Sequence, residues 1–427
     1  MFLKEIELTN FKCHGHLKLY FTTGDTKKPV RKTTFMLGEN GTGKSALLKA
    51  IALITAGSNA LGDILGNPDE WIKNKAKQCS ISATVVTADN KDRQLTLKIN
   101  RGHHLADIIK ENTRSLSLID EAIKRTDRNY FIVGYGASRR LNRSEELYLA
   151  SSGRKSPRAG NVQSLFNPDT ALISLTGWAM DLDYTNPEEG TGLDIIKNAL
   201  NTFLVDDVQF KSIDKRNRRL IFTTPDGDVG LDQLSDGYQN VAAWVGDLMF
   251  NITNTFKDHR DPLKARGLLL IDEIDLHLHP KWQRLLYTFI KSKLPNFQII
   301  ATTHSPLTAQ QAEEGELYAL KREKKRVTLV PFSGDPSKML VHQILMSPVF
   351  GLPTDESVKV EAAKSMVRSR EIQEFQGQGK ASGKGRGSSG KEKILEENPV
   401  NVRSNNLLNE EQLGLLQTIN RELKKQK

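Results

Sequence analysis

The chain has 427 residues, 38% hydrophobic and 26% charged, which allows two or three lobes with sizeable cores, and no apolar run approaches the ~18–20 residues of a membrane span. Its two cysteines, Cys13 and Cys79, cannot make a disulfide framework or a CxxC metal pair, which fits a reducing cytoplasm. The net charge of +10 permits nucleic-acid binding without demanding it, and part of that excess lies beyond Lys380.

Residues 2–9 and Leu17–Phe21 alternate and predict two strands around Asn10–Gly15. Thr34–Leu37 predicts a third strand, which runs into a Gly-rich turn and a helix over Ser45–Ala56. Residues 80–87 and 94–99 predict a strand pair joined at Asp89–Asp92, and Tyr130–Val133 a short apolar strand. From Leu141 the pattern turns helical and loop-rich, with a Ser/Gly/Arg stretch at Ser151–Gly160 and a helix at Asp194–Leu204. A hairpin over 208–213 and 219–224 precedes a long helix, Asn240–Phe256. Gly267–Ile271 and Phe297–Thr303 read as buried strands on either side of a helix at Lys281–Lys293. Short apolar strands alternating with helices predict an α/β fold with a largely parallel sheet and helices on both faces. Residues 377–391 are low-complexity Gly/Ser/Lys, a flexible basic linker. Beyond it, Asn409–Lys427 patterns as an amphipathic helix with Leu413, Leu416 and Ile419 on one side, suited to docking on a partner or to fraying.

Gly38-Glu39-Asn40-Gly41-Thr42-Gly43-Lys44-Ser45 fits the P-loop pattern GxxxxGKS, after an apolar strand and at the start of a helix. The glycines let backbone N–H groups, as far as Ala46, close around phosphate oxygens at a helix N-terminus. Lys44 would reach the β- and γ-phosphates of ATP, and the Ser45 hydroxyl would ligate Mg²⁺. The strand Gly267–Ile271 ends in Asp272-Glu273. There Asp272 would hold the metal through its water shell, and Glu273 would orient and deprotonate the attacking water. His277 and His279 stand at i, i+2 with no third ligand nearby, which disfavours a metal pair. His103-His104 reads as a solvated turn.

Leu234-Ser235-Asp236-Gly237-Tyr238-Gln239 precedes the acidic strand, and Ala301-Thr302-Thr303-His304-Ser305-Pro306 follows it. In this order the motifs resemble an ABC-type ATPase head: P-loop, signature, acidic strand, D-loop, switch histidine. Ile274-Asp275-Leu276-His277-Leu278-His279-Pro280 is similar to the D-loop of the RecF, SMC and OLD branch, and Leu8-Thr9-Asn10-Phe11-Lys12 to the opening of that branch. The resemblance implies a mixed-sheet lobe with a helical signature lobe. It also implies an ATP-linked dimer in which Ser235 and Gly237 touch the γ-phosphate held by a facing subunit. By the same likeness His304 is the switch residue, and Asn10, Lys12 and Asp275 join the nucleotide contacts. The signature departs from LSGGQ at Asp236 and Tyr238, and no Q-loop glutamine is found. Tyr135-Gly136-Ala137-Ser138-Arg139 stands in its place, with Arg139 open between a phosphate contact and a surface charge.

The interval from Ser45 to Leu234 is broken by Gly, Pro and strand patterns, so a long coiled-coil arm is not expected. Signatures of a fused HEPN, Toprim or HNH nuclease are also missing. His342-Gln343-Ile344-Leu345 and Phe350-Gly351-Leu352 with Glu356-Ser357 resemble bacterial stand-alone ATPases encoded with nucleases in anti-phage systems, the PtuA ATPases of Septu and retron systems among them. That likeness implies a homo-oligomeric regulator of a separate nuclease such as an HNH protein. The alternatives are a RecF-like DNA-binding clamp for repair and, less well matched, a transporter motor. The expected organisation is an ATPase lobe over 1–140 and 261–350, a helical signature lobe over 141–260, a helix over 351–376, the linker 377–391 and a docking helix within 392–427.

Overall fold

Side-chain direction along the buried strands decides how the interior is layered. The computed structural model describes residues 1–366 apart from 23–28, 88–89, 126–130, 140–155, 171, 186–195, 198–199, 202–207, 257–258, 325 and 353. Its strands are β1 (Phe2–Phe11), β2 (His14–Tyr20), β3 (Thr33–Gly38), β4 (Gln78–Val86), β5 (Asp92–Asn100), β6 (Ile132–Tyr135) and β7 (Gln209–Asp214). They continue with β8 (Arg219–Thr224), β9 (Gly227–Gly230), β10 (Gly267–Ile271), β11 (Phe297–Thr302), β12 (Leu317–Glu323) and β13 (Arg326–Pro331). The central sheet has the order β13-β12-β3-β11-β10-β6. All its pairings are parallel except β12 with β13. A second, antiparallel sheet has the order β2-β1-β4-β5, and β7-β8-β9 form a third.

Strands buried on both faces read as continuous apolar runs, and alternate residues serve opposite cores. Leu269 and Ile271 of β10 face a core shared with the helices Asp236–Thr255 and Pro280–Lys293, through Trp244, Leu248, Leu286 and Ile290. Leu268 and Leu270 face the opposite core, built with the helix Lys44–Ile54 and strands β1, β4 and β5. One face of the central sheet is thus covered by helices. The other carries the P-loop helix and, with it, the antiparallel sheet, where helices alone were expected. The two sheets are joined by Gln298 of β11, a fully buried amide. Its Oε1 accepts from the Leu3 N–H at 2.6 Å and its Nε2 donates to the Leu3 carbonyl at 2.9 Å, so a side chain serves as the missing strand neighbour.

Because β3, β6, β10 and β11 run parallel, their carboxyl ends share one edge, where α/β sheets place their ligands. The P-loop follows β3, Arg139 follows β6, Asp272 follows β10, and His304 follows β11.

Residues Met1–Gly351 form one compact unit and Leu352–Lys427 a second, of which 358–366 is helical. The predicted linker 377–391 and terminal helix lie outside the described residues, as does most of the helix expected over Asp194–Leu204. Among the described residues the longest helix, Asp236–Thr255, has 20 residues, and none is long and apolar enough to cross a membrane.

Candidate active site

The P-loop turns as its glycines require. Gly38, Gly41 and Gly43 have φ of 146°, 78° and 93°, a region that side chains rarely adopt. A Cβ on Gly38 would stand 2.5 Å from the Leu320 carbonyl oxygen, and one on Gly43 would stand 2.4 Å from both Cys13 Sγ and His14 Nε2. Gly41 has open space beside it and is exposed with Glu39 and Asn40. The Thr42 hydroxyl closes the turn by donating to the Glu39 carbonyl at 2.8 Å. Lys44 is buried, and its ammonium donates to the carbonyls of Gly38 (2.7 Å) and Glu39 (3.2 Å). Burial lowers its pKa, while the charges of Asp272 and Glu273 pull it back up. Ser45 and Ala46 follow, half-buried, in the first turn of the helix.

The acidic strand end is built around one hydroxyl. Thr302 Oγ1 donates to Asp272 Oδ1 at 2.6 Å and accepts the Glu273 N–H at 2.7 Å. It is fully buried, and Asp272 is buried beside it. Glu273 takes a left-handed φ of 50°, and its carbonyl accepts from Arg139 Nη2. Asp275 is buried as well, which raises its carboxyl pKa, and the Thr303 hydroxyl partly offsets that rise. His304 is exposed at its edge. Partial desolvation lowers its pKa first and the charge of Lys44 second, with Glu273, Asp275 and Asp272 opposing.

Ser235 stands at the N-cap of the helix Asp236–Thr255 and makes no capping hydrogen bond. It is exposed, leaving its hydroxyl and the first-turn N–H groups open to an anion. Gly237 lies against the D-loop, where a Cβ would meet the His277 carbonyl at 3.1 Å, and Tyr238 packs edge-on to Trp282. His279 caps the helix Pro280–Lys293, its Nδ1 accepting from the Lys281 N–H at 3.3 Å. Among the described residues no cluster of three metal-ligating side chains occurs. His104 likewise begins a helix, Leu105–Glu111. Asn10 and Lys12 form the β1–β2 turn with left-handed φ of 51° and 49°. The Lys12 ammonium sits 4.6 Å above the Trp71 ring.

Several residues of the site carry no motif. His14 is completely buried and bonds the Gly43 carbonyl at 3.1 Å. A carbonyl only accepts, so Nε2 holds the proton and Nδ1 is bare; Nδ1 has no partner among the described residues. Arg322 of β12 donates to the Gly41 carbonyl. These two hold the loop from opposite sheets. Thr302 could have been noticed as the residue two before His304, but only the pairing of β10 with β11 brings it to Asp272. Arg139 is not a surface charge: it is 2% exposed.

The fit to ATP and Mg²⁺ rests on this donor set: a glycine cradle open at Gly41, a buried ammonium, and a hydroxyl and a carboxylate at Ser45 and Asp272. Mg²⁺ takes one or two protein oxygens and completes its shell with phosphates and water.

A family described as "AAA domain, putative AbiEii toxin, Type IV TA system" matches residues 33–309. A Septu protein PtuA of Bacillus mycoides (strain KBAB4) is 30% identical over 358 residues, which cover 82% of this chain and 45% of that protein. A retron Vc95 probable ATPase of Vibrio cholerae serotype O1 biovar El Tor is 29% identical over 142 residues, 33% of this chain and 28% of that one. The chain thus spans less than half the length of the curated relatives it matches. The SMC head domain from Thermotoga maritima overlays with a TM-score of 0.41 and 16% identity, covering 78% of this chain and 100% of that chain. The chain belongs to this AAA-domain family, and its motifs stand in the order of an ABC-type P-loop ATPase.

Proposed function

We propose that this chain binds and hydrolyses ATP at an interface between two head-to-tail copies, and that the resulting cycle controls a separate nuclease, such as an HNH protein, in bacterial anti-phage defence. The observation that carries the hydrolytic reading is the Thr302 hydroxyl, which ties Asp272 and Glu273 together at the strand edge that holds Lys44. The P-loop N–H groups and Lys44 bind the phosphates. Ser45 and Asp272 would hold Mg²⁺, Asp272 through the metal's water shell, and the ion would offset the phosphate charge. Glu273 takes a proton from the attacking water, whose oxygen bonds the γ-phosphorus as the bond to the ADP oxygen breaks. His304 lies at the γ-phosphate end, where its ring N–H would donate to a phosphate oxygen. The open N-cap of Ser235 and the N–H of Gly237 supply the partner copy's contact, with Asp275 at the seam and Asn10 and Lys12 at the nucleotide's far side. The defence role is supported by the likeness to Septu and retron ATPases.

The test is Glu273→Gln, because an amide cannot take the proton. The variant should bind ATP with affinity near that of the parent and hydrolyse it roughly 100-fold more slowly or worse. Its mass by light scattering should double with ATP. Cells carrying the gene within its native locus should lose phage protection with Lys44→Ala. Parental turnover in Glu273→Gln refutes the hydrolytic assignment, and a mass that ignores ATP refutes the dimer.

A further inference from the structure

Arg139 ends the segment after β6, in the place where the sequence offers no Q-loop glutamine. Its guanidinium is 2% exposed. On one side Nη2 donates to the carbonyl of Glu273. On the other, its central carbon lies 5.9 Å from the ring centroid of Trp244, which is fully buried on the helix that Ser235 begins. Nε and Nη1 are buried with no hydrogen-bond partner among the described residues, and so is Oδ1 of Asp275. Burial lowers the arginine pKa to about 10, with Asp272, Asp275 and Glu273 opposing, so the group is still a cation at neutral pH.

Neighbouring contacts make this a junction between two elements. Tyr135, at the end of β6, packs 5.7 Å from Trp244, and its hydroxyl donates to Asp247 Oδ2 at 2.7 Å, one turn further along the same helix. Asp247 also accepts from the Ile173 N–H and from Asn251. The signature helix is thereby fixed to β6, and Arg139 carries that connection on to Glu273. Glu273 is held at both ends of its own residue, its N–H by Thr302 and its carbonyl by Arg139, in a left-handed conformation that a glutamate adopts only under constraint.

We infer that Arg139 is a positioning residue that couples the signature helix to the catalytic glutamate: a shift of the helix at Trp244 moves the guanidinium, and with it the carbonyl and carboxylate of Glu273. The two spare donors and the bare oxygen of Asp275 give the guanidinium a second set of bonds to take up when it moves. Buried polar groups without a partner are few in folded proteins, and each calls for an explanation. This assignment rests on the hydrolytic reading above and supplies the coupling between lobes that the sequence left without a residue.

The experiment uses the full chain and measures equilibrium affinity for a fluorescent ATP analogue and single-turnover hydrolysis. Arg139→Met should leave affinity within about threefold and lower the hydrolysis rate roughly 100-fold, the scale of a catalytic group misplaced by about 1 Å. Arg139→Lys, which keeps a cation and one donor for the Glu273 carbonyl, should recover part of that loss. A purely packing role would instead lower affinity and thermal midpoint together, with no recovery by lysine. Should Arg139→Met fail to fold, the conservative pair Arg139→Lys and Trp244→Phe carries the test. If they act through one connection, the double variant is no slower than the slower single variant. Rates that multiply, or turnover in Arg139→Met within twofold of the parent, overturn the coupling. A parent whose turnover survives Lys44→Ala refutes the hydrolytic reading itself. Lys44-dependent turnover that ignores Arg139 refutes only the coupling.

Discussion

Replacing Thr302 by valine isolates the hydroxyl on which the acidic strand end is built. Valine keeps the branched shape and exchanges the oxygen for a methyl. Two bonds are lost, one to a carboxylate (2.6 Å) and one from a backbone N–H (2.7 Å). Hydrogen bonds to charged groups contribute about 1.5–3 kcal/mol, and a buried N–H left without a partner costs about 1–3 kcal/mol. Glu273 is only half-buried, so water can reach part of what is freed, and the expected loss is about 2–4 kcal/mol. Urea denaturation without nucleotide should show that loss as a lower midpoint at unchanged slope. Freed on its amide side, Glu273 should also relax from φ 50°, and hydrolysis should slow about 10–100-fold. Thr302→Ser keeps the oxygen and should stay within about 1.5 kcal/mol and a few-fold in rate. If Thr302→Val matched the parent within 0.5 kcal/mol, or Thr302→Ser were equally damaged, the hydroxyl would not be what holds the two acids.

Lys44→Ala should lower ATP affinity by well over tenfold in calorimetry, because it removes the buried cation facing the phosphates. His14 gives a pH signature. Burial lowers its folded pKa below the ordinary value, so below about pH 6.5 the unfolded chain binds more protons than the folded one. Its contribution to stability is complete above pH 6.5 and lost as pH falls towards the lowered value. Stability measured by urea denaturation should therefore fall less between pH 7.5 and 5.5 in His14→Gln than in the parent, and parallel pH profiles would show that His14 does not titrate differently on folding. Mixing Lys44→Ala with Ser235→Arg subunits should restore about one working site per dimer, since each copy then supplies what the other lacks. No recovery at matched stability would place the whole site within one chain.

The parts of the site that could be read from sequence are those made by neighbours in sequence. Gly38 to Ser45 announces a loop because its glycines and lysine act within one turn. Gly267–Ile271 announces a buried strand because its four apolar side chains pack into the two cores and the whole strand is buried. What could not be read depends on pairing between distant strands. His14 meets Gly43 across 29 positions and Arg322 meets Gly41 across 281, and no spacing rule carries that information. β12 and β13 do not stand out in the sequence because exposed charged residues break up their apolar pattern, and β13 lies at the sheet edge. Arg139 stayed open between a phosphate contact and a surface charge because arginine is seldom buried, and only the fold shows that it is.

The two threonines before His304 show how register turns a short word into a site. β10 pairs with β11 so that Ile271 stands opposite Ala301, and β11 pairs with β3 so that Thr302 stands opposite Met36. The next step along each strand brings Asp272 to Thr302, two residues before the P-loop's first glycine. Side chains alternate along a strand. Thr302 therefore turns to Asp272 while Thr303 turns to Asp275, and one Thr-Thr pair serves both buried acids. A slip of one residue between β10 and β11 would exchange the two threonines, take the hydroxyl from between Asp272 and the Glu273 N–H, and leave every motif in the sequence intact. The chemistry thus depends on the sheet's register as much as on the motifs, and the buried apolar residues of β10 and of Phe297, Ile299, Ile300 and Ala301 in β11, packed into cores on both faces, are what hold that register.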